Sequence, residues 1–330
     1  MSIRGRKGVN MQSVQTSHLF SLAGVKPLEG LLRYRDHCLV ATEKALAHCN
    51  QRRRVSPCSG EELKQWKKVG KFEYFRCEAS GSLFLADLPE PDIWADLLRE
   101  VSRYRDSSKT FHQEIRPSRA ENVLKPKLTW IKNVLRLHNI QNASILEVVT
   151  PPSDLTPFLK KCNYFGEVLT VDESDLLKQE TIRNHAFHTA LLLESLDRIY
   201  DPKNLLQVTS QHLKKGGLIF VTALVSSGFD MMLLQEKNIY LFPPDRTNCF
   251  SRKGLEQLLE KSGFELLEVS TPGILDVEIV KAHLKQGASI SLSTFERALL
   301  DAPEEVCNDF QAFLQKSELS SFARIVGRKK

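Results

Sequence analysis

Residues 144–172 read SILEVVTPPSDLTPFLKKCNYFGEVLTVD, and this stretch decides the fold. Ser144–Val149 has the apolar density of a mostly buried strand, and Gly166–Val171 reads as a second strand ending at Asp172. Between them, Thr156-Pro157 reads as an N-cap and a first helical residue, positions that suit a hydroxyl and a residue with no N–H to lose. Upstream, Lys127–Leu137 spaces Leu128, Ile131, Val134 and Leu135 on one helical face. Downstream, Thr189–Leu193 predicts a third strand ending at Glu194, and Pro202 opens a helix running to about Leu213. Lys215-Gly216-Gly217 closes that helix and feeds a strand over Leu218–Leu224. A helix over Lys253–Ser262, a strand over Glu265–Ser270, helices near 292–300 and 303–316, and a last strand over Ala323–Gly327 complete the series. Strands separated by helices predict an α/β protein with a doubly wound, parallel sheet.

The rest of the chain is organised differently. Residues 1–25 lack periodicity and read as a disordered arm. Residues 26–120 form a mixed region, with helices over Leu31–Ala47 and Asp92–Tyr104 and a hairpin over Phe72–Ala86. Residues 121–330 hold the strand–helix series. The 42% hydrophobic and 26% charged content is that of a soluble globular protein, and no apolar run is long enough to span a bilayer. The basic N-terminus is followed by no apolar core and does not read as a secretion signal. Seven cysteines, an odd number, fit reduced thiols in a cytoplasm better than a disulfide framework. The net charge of +6 and the Arg52–Arg54 run are not interleaved with stacking aromatics, which argues against a nucleic-acid partner.

In a doubly wound sheet, ligands bind beyond the carboxyl ends of the strands. Glu147, Asp172 and Glu194 all lie at or near that rim. A carboxylate directly after the second strand can accept from both hydroxyls of a ribose. Each acid taken alone also fits a helix cap or a solvated loop. Together they point to a nucleoside-like ligand.

The order Ile145-Leu146-Glu147-Val148, Val171-Asp172, Phe187 through Asp201-Pro202, then Leu213-Lys214-Lys215-Gly216-Gly217 resembles the class I S-adenosylmethionine-dependent methyltransferases, which have a Rossmann-like fold. The resemblance covers roughly residues 120–330. Ser227-Gly228-Phe229-Asp230, Pro243-Pro244-Asp245 with Asn248, and Ser270-Thr271-Pro272-Gly273 with Leu275-Asp276-Val277 resemble a bacterial branch rich in small-molecule and sugar-modifying enzymes. It implies S-adenosylmethionine as cofactor, Asp172 on its ribose at the tip of a central parallel strand, and Glu147 with the following loop at its methionine end.

Several positions depart from that family. Its loop after the first strand is glycine-rich, because glycine permits φ > 0 and lets a ligand approach the backbone. Here Val149, Pro151 and Ser153 hold the three glycine positions. A β-branched residue and two adjacent prolines stiffen the loop and remove N–H donors, so it cannot cradle a cofactor in the usual way. A Glu-His pair is replaced by Asp197-Arg198, a histidine after the Pro-Pro pair by Arg246, and a Ser-Ser-His by Ser320-Ser321-Phe322. Relatives often begin with a zinc ribbon of two Cys-x-x-Cys knuckles. Cys38–Ala41 and Cys77–Ser80 each keep one cysteine, so no metal is expected where four ligands are needed. His185 and His188 lack a third ligand, Cys249 lacks a histidine to activate it, and Tyr240, Phe242 and Phe250 suit either a pocket wall or a core.

Two functions follow from these residues. In the first, the protein methylates a small biosynthetic or sugar-like molecule with weakened cofactor binding. Asp172 anchors ribose, Glu194 and Asp245 are the catalytic candidates facing the reacting groups, and Glu147, Val149 and Pro151 border the cofactor. In the second, it is an inactive relative serving as a scaffold or as the regulatory partner of an active enzyme. The segment between Asp172 and Thr189 is short for a full crossover helix, which predicts a trimmed connection.

Overall fold

The computed structural model describes residues 22–330 apart from 48, 50, 151–152, 179–181, 183–184 and 288, and apart from the side chains of 110 and 111. Most of the arm expected over residues 1–25 lies outside the described residues, and its end, Leu22–Val25, is a helical turn, α1. Leu28–Leu46 forms α2, which buries Leu31, Tyr34, Cys38 and Ala41 at helical spacing. Strands β1 (Lys64–Val69), β2 (Phe72–Arg76) and β3 (Leu83–Leu85) make an antiparallel meander. The hairpin read from the sequence is β2–β3, with Tyr74 opposite Leu85. Helix α3 (Pro91–Ser107), the short α4 (Arg116–Arg119) and α5 (Lys125–Leu137) follow.

The second sheet takes its strands from the rest of the chain. In order come β4 (Ala143–Val148), α6 (Thr156–Lys161), β5 (Phe165–Val171), α7 (Glu173–Lys178), β6 (Phe187–Leu193), α8 (Pro202–Gln211) and β7 (Leu213–Leu224). Then come α9 (Phe229–Leu234), β8 (Asn248–Cys249), α10 (Arg252–Lys261), β9 (Phe264–Ser270), α11 (Asp276–Lys285), α12 (Thr294–Leu300), α13 (Glu304–Lys316) and β10 (Phe322–Lys329). The sheet order is β5-β4-β6-β7-β10-β9. The first four strands are parallel, and β10 runs antiparallel to both of its neighbours. Strand β8 leaves this sheet and pairs with β3, tying the two sheets together.

The strands read as apolar runs because both faces are covered. Leu146, Ala190, Ile219 and Ile325 point into a core shared with α8, α10, Phe75 and Phe84 of the first sheet and Cys58 from the turn before β1. Their neighbours Ile145, Leu191, Phe220 and Val326 point to the other face, against Trp130, Ile131 and Leu135 of α5. Among the described residues no helix is long and apolar enough to cross a membrane.

Two details differ from the sequence reading. Asp172 follows β5, which is the outer strand of the sheet among the described residues, not a central one. The short segment after it returns to β6 on the far side of β4, so no strand is laid outside β5. Lys215-Gly216-Gly217 lies inside β7, not before it. Leu213 already pairs with Phe187 and the next pair is Thr189–Leu218, so the lysines and glycines form a bulge, with Gly216 at φ 72°.

Candidate active site

Beyond the carboxyl ends of β4 and β6 lies a cavity of about 180 Å3, roofed by Val25, Lys26, Leu31 and Tyr34 from the N-terminal helices. A second, of about 190 Å3, lies beside it toward the ends of β7 and β10. Lys26, Arg119, Lys127, Glu194 and Arg246 line both. The N-terminal helices thus form part of the site, which the sequence reading had confined to residues 121–330.

On the β4–β5 side, polar groups satisfy one another. The Glu147 carboxylate accepts from Ser153 Oγ at 2.7 Å, from Thr170 Oγ1 at 3.0 Å and from Thr156 Oγ1. Ser153 Oγ also accepts from the N–H groups of Leu155 (3.2 Å) and Thr156 (3.3 Å). Ser153 therefore supplies the cap of α6, and Thr156, expected to cap it, is its first residue and turns its hydroxyl to Glu147. Val149 extends the pairing with β5, its N–H donating to Val171 O at 2.9 Å. Glu147, Val149 and Ser153 line the first cavity; Pro151 is outside the described residues.

Asp172 is not among the residues lining that cavity. Arg99 of α3 donates to its Oδ2 through Nε and Nη2, both at 3.3 Å, while Ser174 Oγ (2.8 Å) and the Asp175 N–H (2.9 Å) donate to Oδ1. Burial works against the charge, yet these donors hold the carboxyl below its usual range. The acid meant for a ribose is paired with the protein's own arginine. Nothing in the spacing of α3 marked Arg99 for this contact.

On the β6–β7 side, charged groups dominate. Glu194 takes a left-handed conformation, φ 57°, a strained backbone for a residue with a side chain. Lys127 Nζ bonds its carboxylate, and that neighbouring ammonium holds Glu194 ionised far below its usual range. Asp245 accepts from Tyr34 OH at 2.9 Å and lies 3.4 Å from Arg198 Nη2. Burial opposes its charge, but Arg198 and Arg246 keep it below the ordinary value. Glu194 and Asp245 do face the first cavity together, as charged acceptors and not as bases with a proton affinity near neutrality. Asp197, fully buried, meets Arg246 Nη1 at 3.2 Å and the Leu224 N–H at 3.2 Å, and burial pushes it up to about 7.

The positions where histidines were expected are brought to these cavities. Arg198 lines the first, Arg246 both and Phe322 the second. Two of these three positions hold permanent guanidinium charges, which bind anions and do not move protons.

The remaining candidates lie elsewhere. His188 begins β6, at the opposite end of the sheet, where Nδ1 accepts from the Ser144 N–H at 3.0 Å and Nε2 meets Lys214 Nζ at 2.8 Å. His185 faces Glu167 at 3.4 Å. Cys249 is buried in β8, and burial raises its thiol pKa. Tyr240 and Phe242 line the first cavity, and Phe250 packs edge-on against Phe84.

Cys38 belongs to α2 and not to a knuckle, which corrects the pairing read from the sequence. The turn matching Cys77–Gly81 is Ser56–Gly60. In each the glycine N–H bonds back to the first residue's carbonyl, and both glycines have φ 81°. Ser59 Oγ sits 3.3 Å from Cys77 Sγ, and burial raises that thiol less than the hydroxyls of Ser56, Ser59 and Ser80 lower it. Serines stand at three of the four corners, and among the described residues no three His, Cys, Asp or Glu side chains gather as a metal needs.

A family model described as a methyltransferase domain matches residues 92–269, more than half of the chain. The chain belongs to the methyltransferase-domain family. Its mostly parallel sheet with helices on both faces is a Rossmann-like α/β arrangement, and the chain is similar at low identity to solved methyltransferase structures. One is 1,6-didemethyltoxoflavin-N1-methyltransferase from Burkholderia thailandensis, with bound 1,6-didemethyltoxoflavin and S-adenosylhomocysteine. It is 12% identical, with 81% of this chain and 99% of that one covered and a TM-score of 0.43. Another is an S-adenosylmethionine-dependent methyltransferase from Archaeoglobus fulgidus, 13% identical, with coverage of 61% and 94% and a TM-score of 0.36. No curated protein sequence matches.

The family's cofactor is S-adenosylmethionine. Glu147, Val149 and Ser153 of the first cavity would be the residues to meet its methionine end. Asp172 would be open to a ribose only with Arg99, whose side chain is 39% exposed, turned away from it.

Proposed function

We propose that this methyltransferase domain transfers a methyl group to a small biosynthetic or sugar-like molecule, with weaker donor binding than an open glycine-rich loop would give. The reading rests above all on one cavity lined by Glu147 and Val149 on one side and by Glu194 and Asp245 on the other. Asp172 would hold the ribose hydroxyls, with Glu147, Val149 and Ser153 bordering the methionine end. When bound, S-adenosylmethionine supplies an electrophilic methyl group on a sulfonium. The chain's own contribution is to position the acceptor. Glu194 and Asp245, kept ionised by Lys127 and Arg198, accept hydrogen bonds from acceptor hydroxyls and fix their orientation. The roof of α1, α2 and α3 excludes water. Weak donor binding follows from competition, because the donor must displace Arg99 from Asp172. Seven free cysteines fit a reducing compartment, the cytoplasm.

The test is calorimetric titration of S-adenosylmethionine into the wild type and Asp172→Asn. One-to-one binding, weakened about tenfold in the variant, is expected for loss of a charged acceptor. No heat at millimolar donor would sink the reading.

A further inference from the structure

The wall between the two cavities holds buried guanidinium groups whose hydrogen-bond donors are not all used. Arg246 is 9% exposed and Arg324 is 6% exposed, and both line the second cavity. The Nε of each has no hydrogen-bond partner among the described residues. Arg246 meets Asp197 through Nη1, which also donates to Asp245 O at 2.7 Å, while Arg324 lies over the Trp130 ring with its centre 5.2 Å from the ring centroid, feels the charge of Glu268 and forms no ion pair among the described residues. Arg119 Nε is likewise buried and unpartnered, and Lys26 sits 4.4 Å over the Tyr240 ring without a carboxylate of its own.

The acids nearby are already engaged. Glu194 is bonded by Lys127 and Glu121 by Lys125. Asp276 accepts from Ser320 Oγ at 2.6 Å, the Ser321 N–H at 2.6 Å and Gln311 Nε2 at 2.9 Å. Burial pushes the Lys26 ammonium down to about 8, while Glu194 and Asp230 on one side and Arg246 and Arg119 on the other act on it in opposite directions. A buried guanidinium with free donors is unfavourable until an anion meets it.

The second cavity contains no residue of the loop after β4 and none of β5, so it lies away from the donor's half of the sheet. Apart from its cations and the carboxylates Glu121, Glu194 and Asp276, each already bonded within the protein, its wall is largely apolar: Val123, Pro126, Ile274, Ile279 and Phe322. We propose that the methyl acceptor carries a carboxylate or phosphate group, bound by Arg246 and Arg324 with Lys26 and Arg119 at the margin, and lays its apolar part along that wall. The assignment of this anion to the acceptor rests on the methyltransferase reading. The anion site itself does not.

The test uses phenyl phosphate, benzoate and neutral benzyl alcohol, titrated calorimetrically into the full chain with and without saturating S-adenosylhomocysteine. One or both anions bind one-to-one, benzyl alcohol binds at least about tenfold more weakly, and Arg246→Gln and Arg324→Gln each weaken the anion about tenfold or more. The stronger of the two anions names the headgroup. Arg119→Gln, on an accessible helix, keeps the test alive if a buried variant does not fold, and weakens the anion severalfold. Anions that bind no better than benzyl alcohol, or bind Arg246→Gln and Arg119→Gln as tightly as wild type, overturn the proposal. Displacement of the anion by S-adenosylhomocysteine also overturns it, since the cations would then serve the donor's carboxylate. Arginine-dependent anion binding with no S-adenosylhomocysteine binding sustains the site and sinks the methyltransferase reading instead.

Discussion

The two halves of the sheet's carboxyl rim handle charge in opposite ways. At β4 and β5, every acceptor is met from within: Glu147 by three hydroxyls, Asp172 by Arg99, Ser174 and a backbone N–H. At β6, β7 and β10, guanidinium groups are packed with donors left over. A satisfied half is stable without a ligand and must open to take one. An unsatisfied half is strained without a ligand and gains from one. On the proposed reading, the same fold resists its donor and attracts an anion.

The largest disturbance of that contrast is expected at Gly228. A Cβ there would stand 2.1 Å from Ser321 Cα and 2.4 Å from Ser321 N, and Ser321 lines the second cavity. Gly228→Ala therefore pushes the backbone entering β10, and urea unfolding should register a loss of roughly 3 kcal/mol. A loss near zero would mean that this half yields more easily than its packing implies. Next comes Glu147→Ala, which leaves Ser153, Thr156 and Thr170 without their shared acceptor and should destabilise by roughly 2 kcal/mol. If the same assay shows no change, the β4–β5 half is not held by that carboxylate.

Arg324→Met should behave differently. Removing a poorly compensated buried charge while keeping the aliphatic volume should leave stability unchanged or raise it by about 1 kcal/mol. A clear loss would mean that Arg324 is satisfied after all. A separate effect is on pH dependence. Burial and the neighbouring Asp276 push Asp230 up to about 7, far above an unfolded carboxyl. The folded state therefore holds its proton more tightly than the unfolded one. Stability from that proton is complete below about pH 4 and is lost as pH rises through 7. Thermal unfolding of the wild type should fall between pH 5 and 8, and Asp230→Asn should flatten that fall. An equally steep variant would place the titration elsewhere.

Much of the frame was legible in the sequence, because buried parallel strands declare themselves as apolar runs between helices. Ile145–Val148, Val168–Val171 and Ala190–Leu193 all fell where their patterns put them. The outer position of β5 was not legible: sheet order depends on which side of β4 the chain returns to, and no local pattern records that. The rim acids were found as residues, but their partners were not. Arg99 reaches Asp172 across 73 positions, and Tyr34 reaches Asp245 across 211. The exchange of histidine for arginine at 198 and 246 was visible as substitution, and only the shared wall gave it a meaning. The serine corners at 56, 59 and 80 were hidden because a search for paired cysteines passes over hydroxyls.

The most direct measurement is the affinity of S-adenosylhomocysteine for the wild type against Arg99→Gln. If the donor half is occupied by its own ion pair, freeing Asp172 should tighten binding roughly fivefold, the scale of a half-exposed ion pair. Unchanged or weaker binding in the variant would show that Arg99 does not compete for the ribose anchor, and the account of the β4–β5 half would be wrong.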